Sequence, residues 1–241
     1  MVRIGKKIAA LLNWFPCPAC RSGDGGGEND FCAACMAGFE PLRPRRPCPG
    51  CGAELDGVMR MCNACMNDAP RRWQDAAAIF RYNASTREMV RRFKFGREGY
   101  LAAPLAKIGS ELVRQRGFDV DCAVPIPIPW RRRWQRGYNQ AALFGKGVAS
   151  GLGIDFVEPL CRRWDARRQS ELEREERLKH LRDTVFLKPS AVRLISGRKV
   201  LLVDDVLTTG STLSVASELL LKAGAKKIYV LVIARAINRS N

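Results

Sequence analysis

The sequence has very little histidine, no long apolar run and no lysine-containing nucleotide loop. Its one histidine, His180, is the single imidazole available as an acid or base, and a lone histidine is more often a surface residue. No stretch approaches the roughly 20 apolar residues that a membrane-spanning helix requires. The combination Gly-Lys-Ser/Thr is absent, which excludes a Walker-type loop.

The amino-terminal segment superficially resembles a secretion signal but does not fit one. Lys6 and Lys7 precede a short apolar run at residues 8–15, but this run includes Asn13 and leads directly into cysteines without a small-residue cleavage site. We therefore expect a cytoplasmic protein that is not embedded in a membrane. In that reducing compartment, paired cysteines favour metal binding over disulfides.

Acidic residues are scarce relative to basic ones, and the imbalance lies in one part of the chain. The formal net charge is +17; residues 1–70 hold 8 Lys+Arg and 7 Asp+Glu, while residues 71–241 hold 33 and 17. A chain of 241 residues exceeds one typical domain, so we predict two units, 1–70 and 71–241. The charge of the second unit attracts phosphates on a small substrate or a nucleic acid, although solubility alone would also explain it.

Eight of the ten cysteines form four pairs with two residues between partners. They are Cys17/Cys20, Cys32/Cys35, Cys48/Cys51 and Cys62/Cys65. Residues 17–70 lack material for a hydrophobic core, and metal binding would supply the missing folding energy. Two pairs provide the four thiolates of one structural zinc, so the count allows one or two Zn²⁺ ions, paired in sequence order or cross-braced. Disulfides and iron–sulfur ligation are the alternatives. Cys122 and Cys161 are expected to be ordinary buried thiols.

From Trp73 onward, apolar strands alternate with amphipathic helices. We predict strands at 76–82, 121–127, 199–206 and 227–234, and helices at 85–95, 100–116, 137–150 and 211–223. The charged segment 161–183 is expected to be a mobile excursion or an exposed helix. The last strand, helix and strand form a right-handed crossover, so the fold class is α/β with a Rossmann-like parallel sheet behind a small cysteine-rich module.

Two acids followed by a hydroxyl-rich loop lie between that strand and that helix, in the run Val203-Asp204-Asp205-Val206-Leu207-Thr208-Thr209-Gly210-Ser211-Thr212. A tight loop at a helix start presents unpaired backbone N–H groups to a phosphate, and Gly210 permits its close approach. Adjacent carboxylates accept hydrogen bonds from vicinal hydroxyls and suit a nearby Mg²⁺. Alternatively, Asp205 merely caps the helix and the threonines form an ordinary turn.

Residues 200–212 resemble the phosphoribosyl pyrophosphate signature of type I phosphoribosyltransferases. The cysteine pairs, Val124-Pro125-Ile126-Pro127, Arg136-Gly137-Tyr138-Asn139-Gln140, Gln169-Ser170 and Arg177 further resemble the ComF family of competence-associated proteins, over nearly the whole chain. The resemblance implies that Asp204 and Asp205 bind ribose hydroxyls, that Thr208, Thr209, Gly210, Ser211 and Thr212 hold the 5-phosphate, and that the turn after Pro125 lies near the pyrophosphate. His180 departs from the asparagine expected in related sequences.

Catalysis, in an enzyme of this type, displaces pyrophosphate at the anomeric carbon through an oxocarbenium-like state. The protein would position the reactants, and Mg²⁺ would neutralise the leaving group. Arg136 is the expected leaving-group contact because its fork fits phosphate oxygens, and Asp204 and Asp205 complete the predicted catalytic set. A solvated surface arginine is the alternative reading of Arg136.

A second function is a non-catalytic nucleic-acid-binding or nucleotide-sensing module that uses the same pocket. Membership of the ComF family would link the chain to uptake of single-stranded DNA in natural transformation, and so to DNA-uptake proteins. Trp130, Arg131, Arg132, Arg133 and Trp134 combine aromatics that stack on bases with arginines that pair phosphates. Alternatively, the two tryptophans help to pack a helix. Basic runs at 91–94, 162–163 and 167–168 would extend a track or lie on solvated faces.

Overall fold

The computed structural model describes residues 15–22, 27, 29–66, 71–163 and 182–236. Its strands are β1 (Asp75–Arg81), β2 (Cys122–Pro125), β3 (Asp155–Phe156), β4 (Leu160–Arg162), β5 (Val185–Leu187), β6 (Lys199–Leu207) and β7 (Lys227–Arg235). Five of them form a parallel sheet in the order β1-β7-β6-β2-β3, while β4 and β5 form a separate antiparallel pair. The long strand β6 therefore lies at the centre of the sheet.

Two short helices precede β1, and the other helices lie between strands. They are α1 (Ala33–Phe39), α2 (Asn63–Met66), α3 (Ala84–Phe95), α4 (Ala102–Gln115), α5 (Trp130–Arg136), α6 (Gln140–Leu152), α7 (Ala191–Ile195) and α8 (Ser211–Lys222), with a 3-10 turn at Gly99–Leu101. None of the helices in the described ranges is long and apolar enough to cross a membrane. The β6–α8–β7 crossover joins neighbouring parallel strands, as the sequence predicts.

Both faces of the sheet are buried, which explains the continuous apolar runs of its central strands. Residues 200–203 of β6 and 230–234 of β7 are fully buried. One face packs against α3, α4 and α6, and the other against α7, α8 and the β4–β5 pair.

The cysteine segments share the hydrophobic clusters of the sheet. Cys17 and Cys32 pack in the cluster on the α3–α4–α6 face, whereas Cys48, Cys51 and Cys65 pack in the cluster on the α7–α8 face. The two cysteine groups thus lie on opposite faces of the sheet. A domain boundary at residue 70 stays a prediction.

The segment after β2 differs from the prediction of one helix at 137–150. Residues 130–136 form a separate two-turn helix, α5, which ends where Gly137 adopts a φ of +83°. The next helix begins only at Gln140, because the Asn139 side chain accepts a hydrogen bond from the Ala141 N–H and caps it. It continues past Gly151 and ends at Gly153, whose φ is +71°.

Candidate phosphate site and metal centres

The acidic pair lies in the last part of the central strand β6. The Asp204 carboxylate accepts a 2.8 Å hydrogen bond from the Asp205 backbone N–H. Lys94 Nζ, from the end of α3, lies 2.9 Å from Asp205 Oδ1, and both side chains are mostly buried. The carboxyl ends of strands in an open α/β sheet are where ligands bind, so the pair has the position that the sequence predicts.

Burial and the neighbouring charge make Asp204 a weak acid. Loss of solvent and repulsion from the Asp205 carboxylate together raise the pKa of Asp204 to about 7, against the opposing effects of Lys94 and Arg162. In the free protein, the Asp204 carboxyl is therefore about half protonated at neutral pH. A bound cation would favour the ionised form of both acids.

Basic side chains from three elements surround the acids. Lys94 comes from α3, Arg136 from α5 and Arg162 from β4. Burial and repulsion from Arg132 lower the pKa of Arg136, and the same two effects lower the pKa of Arg162 to about 10. Arg132 thus lies close enough to Arg136 and Arg162 to oppose their charges, and such a concentration of cations favours an anionic ligand such as a diphosphate.

The Arg136–Gln140 motif holds this arrangement together. Tyr138 donates a 2.7 Å hydrogen bond to the Phe93 carbonyl, and Gln140 Nε2 donates one of 3.3 Å to the Lys94 carbonyl. Asn139 Nδ2 donates a 2.9 Å bond to the Ile126 carbonyl, in the turn after β2. Arg136 bonds Gln140 at 3.0 Å and lies over the Phe95 ring at 4.6 Å. The motif therefore fixes the end of α3, and with it Lys94, beside the acids.

The loop after β6 is an open helix start. Gly210 is the N-cap residue of α8 with a φ of +74°, and no side chain caps the helix. The first-turn N–H groups of a helix have no intrahelical acceptors. The Ser211 N–H has only a long contact, 3.5 Å, to Thr209 Oγ1, and the N–H groups that follow it are available to an anion. The Thr209 and Ser211 hydroxyls lie 2.9 Å apart, so one donates to the other, and the acceptor of this bond keeps its own O–H as a further donor. The alternative that Asp205 caps this helix is wrong, since its carboxylate pairs with Lys94.

The eight paired cysteines form two groups that combine consecutive pairs and are not cross-braced. One group is Cys17, Cys20, Cys32 and Cys35, and the other is Cys48, Cys51, Cys62 and Cys65, each with its ligand atoms within 4.8 Å of one another. Two sulfur–sulfur distances are 3.7 and 3.6 Å. A tetrahedral zinc with Zn–S bonds of about 2.3 Å requires sulfurs about 3.8 Å apart, so both groups fit Zn²⁺.

Backbone N–H groups turn toward the sulfurs in both groups. Cys32 N donates to Cys17 Sγ at 3.3 Å, and Cys62 N donates to Cys48 Sγ at 3.4 Å. Such hydrogen bonds stabilise thiolates, the form that binds metal. All ten cysteines are free, which is inconsistent with the disulfide alternative.

The predicted nucleic-acid residues lie on α5, which has no buried residue. Trp130 and Trp134 are 62% and 87% exposed, so the alternative in which they pack the helix against the protein is wrong. The Arg131 guanidinium lies 5.4 Å from the centre of the Trp130 ring. The helix therefore presents aromatic and cationic groups together to solvent.

The basic run at 91–94 does not form one continuous track. Arg91 pairs with Glu88 at 2.7 Å and Arg92 with Glu98 at 2.6 Å, whereas Lys94 turns to the acidic pair. Sequence reasoning assigned Lys94 and Arg162 only to basic runs and missed their place beside the acids. The predicted positions that lie outside the described residues are the basic pair Arg167 and Arg168, Gln169, Ser170, Arg177 and His180.

The chain is similar in sequence to known proteins. The profile of the phosphoribosyl transferase domain family matches residues 139–240. Competence protein F of Haemophilus influenzae is 31% identical, over 94% of this chain and all of that protein. DNA utilization protein YhgH of Escherichia coli is 27% identical, over 92% of this chain and 97% of that protein. A crystal structure of adenine phosphoribosyltransferase matches with 19% identity and a TM-score of 0.39, over 60% of this chain and 74% of that one.

Proposed function

Since the chain belongs to the ComF family of competence-associated proteins and has a type I phosphoribosyltransferase fold, we propose that it binds phosphoribosyl pyrophosphate with Mg²⁺. The observation that carries the proposal is the acidic pair, which lies at the end of the central strand, directly before an uncapped helix start and among three cations. A sugar that bears phosphates at both ends needs these groups in this arrangement.

Each part of the ligand has a matching part of the site. The ribose hydroxyls donate to Asp204 and Asp205. The 5-phosphate is held by the backbone N–H groups and hydroxyls of Thr208, Thr209, Gly210, Ser211 and Thr212. The diphosphate lies toward Arg136, Arg162 and Lys94, where guanidinium forks and an ammonium neutralise it. Lys94 then exchanges its contact with Asp205 for one with the ligand.

Carboxylates are the protein ligands that Mg²⁺ prefers, so Asp204 and Asp205 fit that ion together with the phosphate oxygens. When bound, Mg²⁺ supplies charge neutralisation of the diphosphate. The same site suits displacement of pyrophosphate at the anomeric carbon: the C1–O bond to pyrophosphate breaks, the acceptor's bond to C1 forms, and Arg136 contacts the departing oxygens.

Calorimetry with phosphoribosyl pyrophosphate tests the proposal. We expect binding that requires Mg²⁺ and is lost in Asp204→Asn/Asp205→Asn. The matched control is Asp56→Asn, which removes an exposed carboxylate far along the chain from the acidic pair. Equal affinity in the double variant and the control would reject the assignment of the ribose site.

A second candidate function is single-stranded DNA binding at α5, favoured by its two exposed tryptophans among arginines. We expect an affinity that falls steeply with salt and drops in Arg131→Ala/Arg132→Ala. The exposed pair Arg45→Ala/Arg193→Ala is the control with the same loss of charge. A flat salt response, or equal losses in both double variants, would contradict the assignment.

Turnover assays relate the two functions to each other. Pyrophosphate release that depends on single-stranded DNA would join them in one activity. Release without DNA would favour a small-molecule transferase, and binding without release in either condition would favour a nucleotide-sensing role. Relatives named competence protein F and DNA utilization protein YhgH support a role for this activity in DNA uptake or utilization. Thiolate-bound zinc supports a location in a reducing cytoplasm.

A further inference from the structure

Arg71 joins the second cysteine group to the loop after β6. Its Nη1 donates a 2.8 Å hydrogen bond to the Thr209 carbonyl, 138 positions away in the chain. Its Nη2 lies 3.9 Å from Cys65 Sγ. One guanidinium therefore contacts both a predicted zinc ligand and the predicted phosphate loop.

The neighbours of Arg71 hold it in this position. Its guanidinium lies 5.2 Å from the centre of the Trp73 ring, and Trp73 is buried. Trp73 Nε1 in turn donates a 3.2 Å bond to the carbonyl of Gly50, between the ligands Cys48 and Cys51. Gly50 lies so close to Cys65 that an added Cβ would be 2.8 Å from its sulfur. Metal binding by this cysteine group would therefore hold in place the Trp73 ring against which Arg71 packs.

The bond to Thr209 orients the peptide that follows it. In a planar trans peptide, the C=O of one residue and the N–H of the next point in opposite directions. When Arg71 holds the Thr209 carbonyl on one side, the Gly210 N–H points to the other. Among the described residues, no backbone carbonyl accepts from this N–H. Gly210 also leaves the space that Arg71 occupies, because a Cβ there would collide with the guanidinium.

Charge gives the contact a second role. A Zn²⁺ ion with four thiolates carries a net charge of about −2, and a sugar phosphate carries nearly the same. Without a cation between them, the metal centre would oppose the phosphate. Arg71 lies between the two charges, since it contacts Cys65 Sγ and the Thr209 carbonyl, and it would screen the phosphate from the metal centre.

We propose that Arg71 couples metal binding at Cys48, Cys51, Cys62 and Cys65 to phosphate binding at the loop after β6. The inference rests on the proposed function, since it takes that loop to be a phosphate site. Coupling of two binding events is reciprocal, so the ligand also retains the metal. The group formed by Cys17, Cys20, Cys32 and Cys35 lies on the opposite face of the sheet and does not take part.

The test uses the zinc-loaded full chain and ribose 5-phosphate as the probe. Calorimetry measures its affinity in the wild type, Arg71→Met, Arg71→Lys and the control Arg72→Met, which changes an exposed neighbour. We expect binding about tenfold weaker in Arg71→Met, within the usual range of coupling between two sites, with partial recovery in Arg71→Lys and no change in the control.

The second measurement is zinc release to a chromogenic chelator. In the wild type, saturating ribose 5-phosphate should slow the release of one zinc equivalent about tenfold and leave the other unchanged. Arg71→Met should abolish that effect. This readout in the wild type tests the coupling even if a variant folds poorly, and a purely structural role of Arg71 would not make zinc release depend on the ligand.

The two possible failures have different signatures. Wild-type binding of ribose 5-phosphate with the same affinity in Arg71→Met, and zinc release that ignores the ligand, would overturn the coupling and leave the proposed function intact. Absence of ribose 5-phosphate binding in the wild type would reject the phosphate site and the coupling with it.

Discussion

Replacement of Asp204 by Asn should stabilise the free protein above neutral pH. Burial and the Asp205 charge raise the pKa of this carboxyl to about 7 from its ordinary value of 3.8. At a pH below the ordinary pKa of 3.8, Asp204 is neutral in both the folded and the unfolded chain, so it does not change the free energy of unfolding. As pH rises toward the folded-state pKa, the unfolded chain releases the proton more readily, so the folded state loses stability. At a pH above the folded-state pKa, the full loss of folding stability from the buried, ionised carboxylate is present.

The size of the effect follows from the pKa values. Each pKa unit corresponds to about 1.4 kcal/mol, so the shift from 3.8 to about 7 costs at most about 4 kcal/mol at alkaline pH. About 3 kcal/mol of this appears between pH 5 and pH 8. Asn keeps an oxygen that can accept the 2.8 Å bond from the Asp205 N–H, so the substitution removes the charge with little other change.

Urea unfolding at pH 5 and pH 8, with zinc present throughout, measures this difference. The stability of Asp204→Asn relative to the wild type should grow by about 3 kcal/mol between the two pH values. The exposed variant Asp56→Asn should show no such growth. Parallel pH profiles for the wild type and Asp204→Asn would disprove the raised pKa of Asp204, because they would mean that the carboxyl ionises freely in the folded protein.

Four further predictions concern the neighbouring groups. Lys94→Met should weaken phosphoribosyl pyrophosphate binding about tenfold in calorimetry, since it removes a charge-assisted contact; an unchanged affinity would mean that the lysine serves only the free protein. Gly210→Ala should lower the free energy of unfolding by at least about 1 kcal/mol, because φ is +74° and the new Cβ collides with the Arg71 guanidinium. The midpoint of urea unfolding should fall accordingly, and equal midpoints would disprove the prediction. Elemental analysis should find two zinc equivalents, and one in Cys62→Ser, whereas one equivalent in the wild type would show that a cysteine group does not bind metal. Trp134→Ala should weaken binding of single-stranded DNA by about 1 to 3 kcal/mol without changing its salt dependence, and a changed salt dependence would indicate loss of phosphate contacts.

The sequence was sufficient where local signals agreed. The strand at 199–207, the helix at 211–222 and the strand at 227–235 follow from buried apolar runs, a glycine loop and Gly224. The four cysteine pairs follow from spacing, because two residues between cysteines place both sulfurs on one side of a tight turn. Which pairs combine is decided only by the fold. In these segments, tertiary packing reinforces what the local sequence favours.

The missed residues act through contacts that no local pattern records. Lys94 lies in a run of basic residues on a helix, and only the packing of α3 against α6 brings it to Asp205. Arg162 reaches the acids because β4 pairs with β5 beside the sheet. The bounds of α5 do not follow from the sequence, because its two turns lie between a proline and Gly137 and carry no apolar face for the core.

The decisive measurement is a crystal structure of the protein with Mg²⁺ and ribose 5-phosphate. We expect the phosphate within hydrogen-bonding distance of the N–H groups of residues 208–212, and the sugar hydroxyls on Asp204 and Asp205. A ligand bound elsewhere, with Asp205 still paired to Lys94 and no phosphate at the start of α8, would contradict it.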